Sequence, residues 1–322
     1  MKRRDLLKLT AAGAAMALGT PTLHAQAKPR IRVASLTLPV FAPIVVNIMK
    51  ARGFDAAREF ELEIKTYPAI SAYYAALATG EVDTLIGGPT YFQKLRLEGS
   101  PIKIIATGAT LSDLVIMTKS PAIRSLADLK GKQLAADMGS GQFQVLSIYA
   151  RSKGIDLGKD ITLVNANFAV SRAQLAADRV DAAMIIEPIA TMMAKENADL
   201  KMIFNGNDAW KELTGRAGWE LVYAMREDSI KQAPDMPKKF IAALQDVAAF
   251  LRADPDAADK IANETVKLPP GILKEAVLAK RWEFAVHPAW EGERASIQDM
   301  FARAVAAGFH PKLPDEAIFH VP

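Results

Sequence analysis

Between residues 31 and 186 short apolar runs alternate with stretches of helical pattern. The runs are IRVASL from Ile31, DTLIGG from Asp83, IKIIATG from Ile102, LVIMTK from Leu114, KQLAAD from Lys132, ITLVNA from Ile161 and DAAMII from Asp181, with helix-like segments such as PIVVNIMKARG and ISAYYAALATG between them. A strand that returns through a helix runs parallel to its predecessor, and parallel sheets are buried between helices. The expectation is an α/β fold with mainly parallel sheets flanked by helices. Ligands in such sheets sit beyond the carboxyl ends of the strands. That places Ser35–Phe41, Gly87–Tyr91, Gly139–Phe143 and Ile186–Pro188 on a functional rim. After Asp228 the pattern turns helical, most clearly in MPKKFIAALQDVAAFLRADP, where Pro237 suits a first helical turn.

Two segments share one plan. ALATGEVDTLIGGP (76–89) and QLAADRVDAAMIIEP (174–188) each read as a helix end, a turn closing on Val-Asp, an apolar strand and a proline that can open the next helix; Asp83 and Asp181 are 98 positions apart. The chain, at 322 residues, is long for a single core. The expectation is two lobes of similar construction, each presenting a strand–Pro–helix corner to a shared cleft.

The first 27 residues read as an export signal: charged KRRDLLKL, the mild run TAAGAAMALG, then TPTLHAQA with an A-x-A cleavage site at Ala25-Gln26-Ala27. Arg3-Arg4 with Leu6-Leu7-Lys8 is similar to a twin-arginine signal with Leu in place of the usual Phe, and the ordinary secretory route stays open. The apolar run is far shorter than the ~20 residues of a spanning helix. Four basic residues and one acid belong to this segment; without them the 40 basic and 36 acidic residues leave a surplus of only +1. A nucleic-acid footprint needs a basic surplus or stripe, so nucleic acid is not expected as a partner. No cysteine is present, which excludes disulfides, thiolate metal sites, a Cys nucleophile and a lipidated Cys anchor. The mature chain is expected to begin near Lys28, free in a periplasm.

The stretch DMGSGQFQV from Asp137 lies between an apolar run and a helix-like segment. It lacks the third glycine of G-x-G-x-x-G and has no Lys-Ser/Thr pair for a P-loop. Its glycines permit close backbone approach and Ser140 adds a hydroxyl, so it reads either as an anion seat at a helix start or as a plain capped turn. Phe41, Tyr91, Phe92, Phe143 and Trp219 fall near the expected cleft, as candidates for either pocket wall or core; of the adjacent Tyr91 and Phe92 only one can face a ligand. Glu187 reads equally as an acceptor for a ligand N–H or O–H and as a helix cap. Arg172 reads as a solvated helix face rather than an anion contact or a bridge between lobes.

VASLTLPVFAP, ALATGEVDTLIGGP, SLADLKGKQLAADMGSGQF and RVDAAMIIEP, in this order, resemble the periplasmic substrate-binding proteins of ABC importers, in the branch that handles taurine, alkanesulfonates, nitrate and thiamine precursors. The Ser125–Lys132 passage is the most specific of these, since in the family it introduces the second lobe. The resemblance implies a type II flytrap: residues 28–111 plus 225–322 as lobe I, 112–224 as lobe II, and two extended crossings as the hinge. It implies ligand contacts at Ser35, Leu36 and Thr37, where Leu36 replaces a frequent polar residue. It also implies contacts at Gly88 and Thr90, at Ser112 on the first crossing, and at Gly139, Ser140 and Gly141. The implied partners are a small-molecule ligand and a membrane permease with its ATPase subunit, the receptor itself being a monomer that meets the membrane only through the permease.

Related folds host pyrimidine-forming and menaquinone-pathway enzymes. Beyond residue 27 this chain has only His287, His310 and His320, with no H-E-x-x-H and no G-x-S-x-G. No enzyme activity, cofactor or metal is expected. The sequence shows neither an acidic nor a basic cluster. The expected ligand is therefore a small organic anion with an apolar or aromatic body, with a neutral heterocycle as the alternative; a sensor subunit stays open beside an import receptor.

Overall fold

The computed structural model describes residues 28–322; the expected export signal and its cleavage site lie outside the described residues. Ten strands form two five-stranded sheets: β1 (Arg30–Leu36), β2 (Glu61–Tyr67), β3 (Thr84–Gly87), β4 (Ile102–Thr110), β5 (Leu114–Thr118), β6 (Gln133–Ala136), β7 (Thr162–Asn165), β8 (Ala182–Ile186), β9 (Lys201–Asn205) and β10 (Trp219–Arg226). The sheet orders are β2-β1-β3-β10-β4 and β7-β6-β8-β5-β9. β1 runs parallel to β2 and β3, and β6 parallel to β7 and β8, as helical crossovers require. The antiparallel member of each sheet, β10 in one and β5 in the other, is the strand that arrives by crossing from the opposite sheet. The expected two-sheet, mainly parallel architecture is present.

The lobe boundary differs from the expected 225. β10 starts at Trp219 and fills the place between β3 and β4, so the chain re-enters the first lobe there. The second sheet's last strand ends at Asn205, and helix Gly206–Thr214 then packs on helix Gly141–Ser152 and on the turn Leu111–Asp113. The two crossings touch: the Leu111 N–H donates to the Gly218 carbonyl at 3.1 Å. A Cβ on Gly218 would lie 2.6 Å from Trp210 Cδ1, so only glycine fits there.

The repeated Val-Asp turn performs one job twice. Asp83 donates its N–H to the Arg32 carbonyl (2.8 Å) and accepts the Arg32 N–H on Oδ2 (2.7 Å); Asp181 does the same with the carbonyl (3.0 Å) and N–H (2.8 Å) of Gln133. In each lobe a carboxylate thus ties the start of one strand to a parallel neighbour, β3 to β1 and β8 to β6, and fixes their register.

Helix Met236–Ala253, with Pro237 in its first turn, covers the first sheet beside helix Phe41–Ala51. Phe240 meets Phe60 and Tyr223 with ring centroids 6.1 and 5.6 Å apart. The C-terminal chain then returns along β4, where Ala285 N–H donates to the Gly108 carbonyl (2.8 Å) and Thr107 N–H to the His287 carbonyl (2.9 Å). This return delivers Arg281 and Trp282 to the junction of the lobes. Helix Ile272–Leu278 packs on helix Ile189–Glu196 of the second lobe, with Lys195 and Glu275 paired at 3.0 Å.

Candidate functional site between the lobes

The carboxyl ends of β1, β3, β6 and β8 meet the two crossings at one junction. Helix Pro89–Leu97 follows β3 with Gly88 before its first turn, and helix Gly141–Ser152 follows β6 with Ser140 as its cap. Gly88 and Gly141 face each other: a Cβ on either would lie 3.8 Å from the other's Cα, and one on Gly141 would lie 3.3 Å from Thr90 Oγ1. The Tyr74 hydroxyl accepts the Gly88 N–H at 3.0 Å while its ring stacks on Tyr91 at 3.7 Å. Between Gly88, Thr90, Gly141, Gln142, Trp219 and Glu220 the remaining space is too narrow for water. The lobes are in contact here.

DMGSGQFQV forms a self-satisfied helix start. Gly139 N–H donates to Asp137 Oδ1 (3.2 Å), and the Ser140 N–H (3.1 Å) and hydroxyl (2.7 Å) both donate to the Asp137 carbonyl. Ser140 Oγ in turn accepts the Phe143 N–H at 3.1 Å. This is the capped turn left open by the sequence. The Gly141 and Gln142 N–H groups, in the first turn, have no partner among the described hydrogen bonds. Burial raises Asp137 above the ordinary carboxylate value, against the Gly139 N–H.

Three buried carboxyl groups converge at this junction. Asp113 on the first crossing, Glu220 on β10 and Glu187 at the end of β8 are 1%, 4% and 0% exposed. Glu187 Oε1 accepts Arg281 Nε at 2.7 Å, its Oε2 accepts the Thr191 N–H at 2.9 Å, and Arg281 also donates to Thr191 Oγ1 at 2.8 Å. Glu187 therefore caps its helix and binds a cation from the other lobe. Gln142 donates its side-chain N–H to Glu220, likewise across the lobes. The turn that holds Asp113 packs on β10, which holds Glu220. Burial, then the charge and hydrogen bond of Glu220, then the charge of Glu187, push Asp113 well above the ordinary carboxylate value. Burial raises Glu220 as well, opposed by hydrogen bonds with Asp113 and Gln142.

The other expected site residues divide by surroundings. Ser35 is buried on β1, Leu36 half-buried and Thr37 exposed, the Thr37 N–H donating to the Tyr67 carbonyl at 3.1 Å. Phe41 is buried and stacked on Trp282 at 3.9 Å. Phe92 is buried edge-on to Tyr74, so of the adjacent pair Tyr91 is the partly exposed one. Phe143 is buried in the first turn of its helix. The Ser112 hydroxyl is engaged with Thr110 Oγ1 at 2.8 Å within the first crossing, and Trp219 turns away to Glu293 (Nε1 to Oε2, 3.0 Å). Arg172 pairs with Glu196 inside the second lobe (2.6 Å) and bridges nothing.

Sequence reasoning passed over Asp113, Glu220, Gln142 and Arg281. The available signal was a lone carboxylate inside an apolar run, in LSDLVIM and WELVYAM. Among the described residues no group of three or more His, Asp or Glu side chains is placed to hold a metal ion, and no helix is long and apolar enough to cross a membrane.

Comparison with known proteins extends these observations. Residues 39–258 match the family model described as NMT1/THI5 like. A Haemophilus influenzae protein named for thiamine biosynthesis is 28% identical over 248 residues, covering 69% of this chain and 74% of that protein. The arginine-binding extracellular protein ArtP of Bacillus subtilis is 28% identical over 207 residues, covering 63% of this chain and 71% of that protein. The crystal structure of the periplasmic aliphatic sulphonate binding protein SsuA from Escherichia coli superposes with a TM-score of 0.76 at 19% identity, over 91% of this chain and 92% of that one. At that identity the likeness is one of fold.

Proposed function

Because the chain belongs to the NMT1/THI5-like family, we propose that it is the solute receptor of an ABC importer, not an enzyme, and that it captures a small nitrogen-bearing solute between its lobes. Relatives named as binding proteins support the receptor role. The leader sends it to the periplasm, by the twin-arginine or the ordinary route. There it acts as a monomer and hands the solute to a permease driven by an ATPase subunit. Capture works by closure: contacts made to both lobes at once favour the closed form, and the solute shifts the equilibrium only by its preference for that form.

The observation that carries the solute class is the convergence of Asp113, Glu187 and Glu220 at the junction, with Arg281, the cation that reaches them, already committed to Glu187 and Thr191. Acceptors in excess of donors suit an N–H-rich heterocycle or amidine-like group better than a sulfonate, because a buried anion beside uncompensated carboxylates has no partner for its charge. The second reading, the organic anion expected from the sequence, is favoured by the uncommitted N–H groups of Gly141 and Gln142 at a helix start. Thermal-shift screening of residues 28–322 separates the two. A solute at a hundred times its dissociation constant stabilises by about 2.7 kcal/mol. Aminopyrimidines or amidines should raise the melting temperature and taurine, alkanesulfonates, aromatic carboxylates and nitrate should not; the opposite pattern favours the anion.

A further inference from the structure

Asp113 on the first crossing and Glu220 on β10 lie on segments that pack together, and each carboxyl group alters the other's proton affinity. Both are more than nine-tenths buried, and Asp113 Oδ1 and Glu220 Oε2 receive no hydrogen bond. Glu220 also lines the narrow space between the lobes, opposite Gly88 and Gly141. Two neighbouring buried carboxyl groups with no cation between them favour one shared proton over two charges. The remaining groups around them supply no cation: Gln142 is neutral, Glu187 adds negative charge and is paired with Arg281, and Glu283 and Glu293 face Thr110 and Trp219. His287 lies edge-on to Trp219, with ring centroids 6.1 Å apart.

Building on the receptor reading, we propose that the Asp113–Glu220 pair is the recognition point for a cationic amidinium- or guanidinium-type group of the solute, and that capture of this group expels the shared proton to solvent. The ligand-free pair carries one proton and one negative charge. An arriving cation takes the proton's place between the two carboxylates, so the pair gives up one proton for each cation bound and the buried site keeps its net charge. Displacing Gln142 from Glu220 opens the space toward the helix start at Gly141. Uptake is then linked to pH: affinity for a permanently charged cation rises about tenfold per pH unit wherever the free pair is protonated and the bound pair is not.

Agmatine, L-arginine and benzamidine serve as cationic probes and taurine as the anionic one. Calorimetric titration near neutral pH in buffers of different ionisation enthalpy counts the protons released. Close to one proton per bound cation is expected, with the release lost and affinity reduced about a hundredfold in Asp113→Asn and Glu220→Gln. Both substitutions keep side-chain volume, and melting curves check the fold. Independently of any probe, the infrared band of a protonated carboxyl should be present at neutral pH in the parent and absent in Asp113→Asn. Binding of a cation without proton release, binding of taurine alone, or absence of that band overturns the assignment while leaving the receptor reading standing. If none of these probes but an aminopyrimidine raises the melting temperature, the assignment falls and the receptor reading stands; if none of these probes and no solute of the thermal-shift screen raises it, the receptor reading fails with it.

Discussion

Gly88 and Gly141 bring the first turns of two helices from opposite lobes so close that a Cβ on either would rest 3.8 Å from the other's Cα. At Gly88 that distance is ordinary van der Waals contact, whereas a Cβ at Gly141 also meets Thr90 Oγ1 at 3.3 Å. Gly88→Ala should therefore close and bind as the parent does. Gly141→Leu should act as a wedge. Its radius of gyration by small-angle X-ray scattering should exceed the parent's and its solute affinity should fall, with the melting temperature little changed because the lobes themselves are untouched. Parental compactness and affinity in Gly141→Leu would show that this contact does not limit closure.

The Arg281–Glu187 pair joins the C-terminal return of the first lobe to the end of β8 in the second, with Glu187 fully buried. Removing one partner of a buried pair costs about 3–5 kcal/mol when the other stays buried, while removing both costs far less. Arg281→Ala has a cheaper escape, since opening the lobes returns Glu187 to water. The expected outcome is a more open ligand-free protein with a modest loss of melting temperature, reversed toward the parent's compactness in Arg281→Met combined with Glu187→Leu. Scattering and melting curves on the same variants check it.

The sequence was most legible where a segment's fate is decided by its own composition. Seven of the ten strands coincide with the apolar runs, and six of the seven are largely buried, β7 at a sheet edge being the exception. β2 (ELEIKTY) and β9 (KMIFN) are edge strands that alternate or expose their polar residues. β10 (WELVYAMR) is central but interrupted by Glu220 and Arg226. Missing β10 displaced the lobe boundary to 225, and the same segment holds the acid that the site reading missed. Ser112 and Trp219 were singled out, and in each case the following residue, Asp113 or Glu220, is the one whose proton affinity the other acid alters. On β10 successive residues point to opposite sides, whereas Asp113 ends a short 3-10 turn; in both, which side chain faces the junction is set by the packing of segments more than a hundred residues apart. The acids at 113, 187 and 220 form a cluster only after the fold brings them together.

Asp83 offers a prediction in pH. Burial works to raise its pKa, but the Arg32 guanidinium and N–H and the Ser229 hydroxyl outweigh it and hold the group below its ordinary value. A carboxylate lowered in the folded state stabilises at every pH above its unfolded value of about 3.9, and that stability is lost as pH falls through the lower folded value. Asp83→Asn should lose about 1.5–3 kcal/mol at neutral pH, the range for hydrogen bonds to a charged group, and should show a flatter decline in acid. Asp181→Asn, at the equivalent turn, loses only the Gln133 N–H and should cost less. Urea melts of the three proteins between pH 3 and 7 make the comparison.

Ser140 separates a cap from a contact. Its hydroxyl is committed twice, donating to the Asp137 carbonyl at 2.7 Å and accepting the Phe143 N–H at 3.1 Å, so no lone proton is left to offer a solute. Ser140→Ala removes an N-cap of helix Gly141–Ser152, which costs about 1 kcal/mol of stability in the ligand-free protein. Solute affinity should not change. Gly141→Pro tests the adjacent backbone separately: proline fits a first helical position and deletes one uncommitted N–H. Under the nitrogen-bearing reading Ser140→Ala binds as the parent does once the solute is found, and Gly141→Pro binds as Gly141→Ala does, which adds the same Cβ against Thr90 but keeps the N–H, because the carboxyl groups across the junction carry recognition. A drop in affinity of tenfold or more in Gly141→Pro relative to Gly141→Ala, with Ser140→Ala unaffected, would mean that backbone N–H groups hold the solute, and would move the ligand class back to an anion.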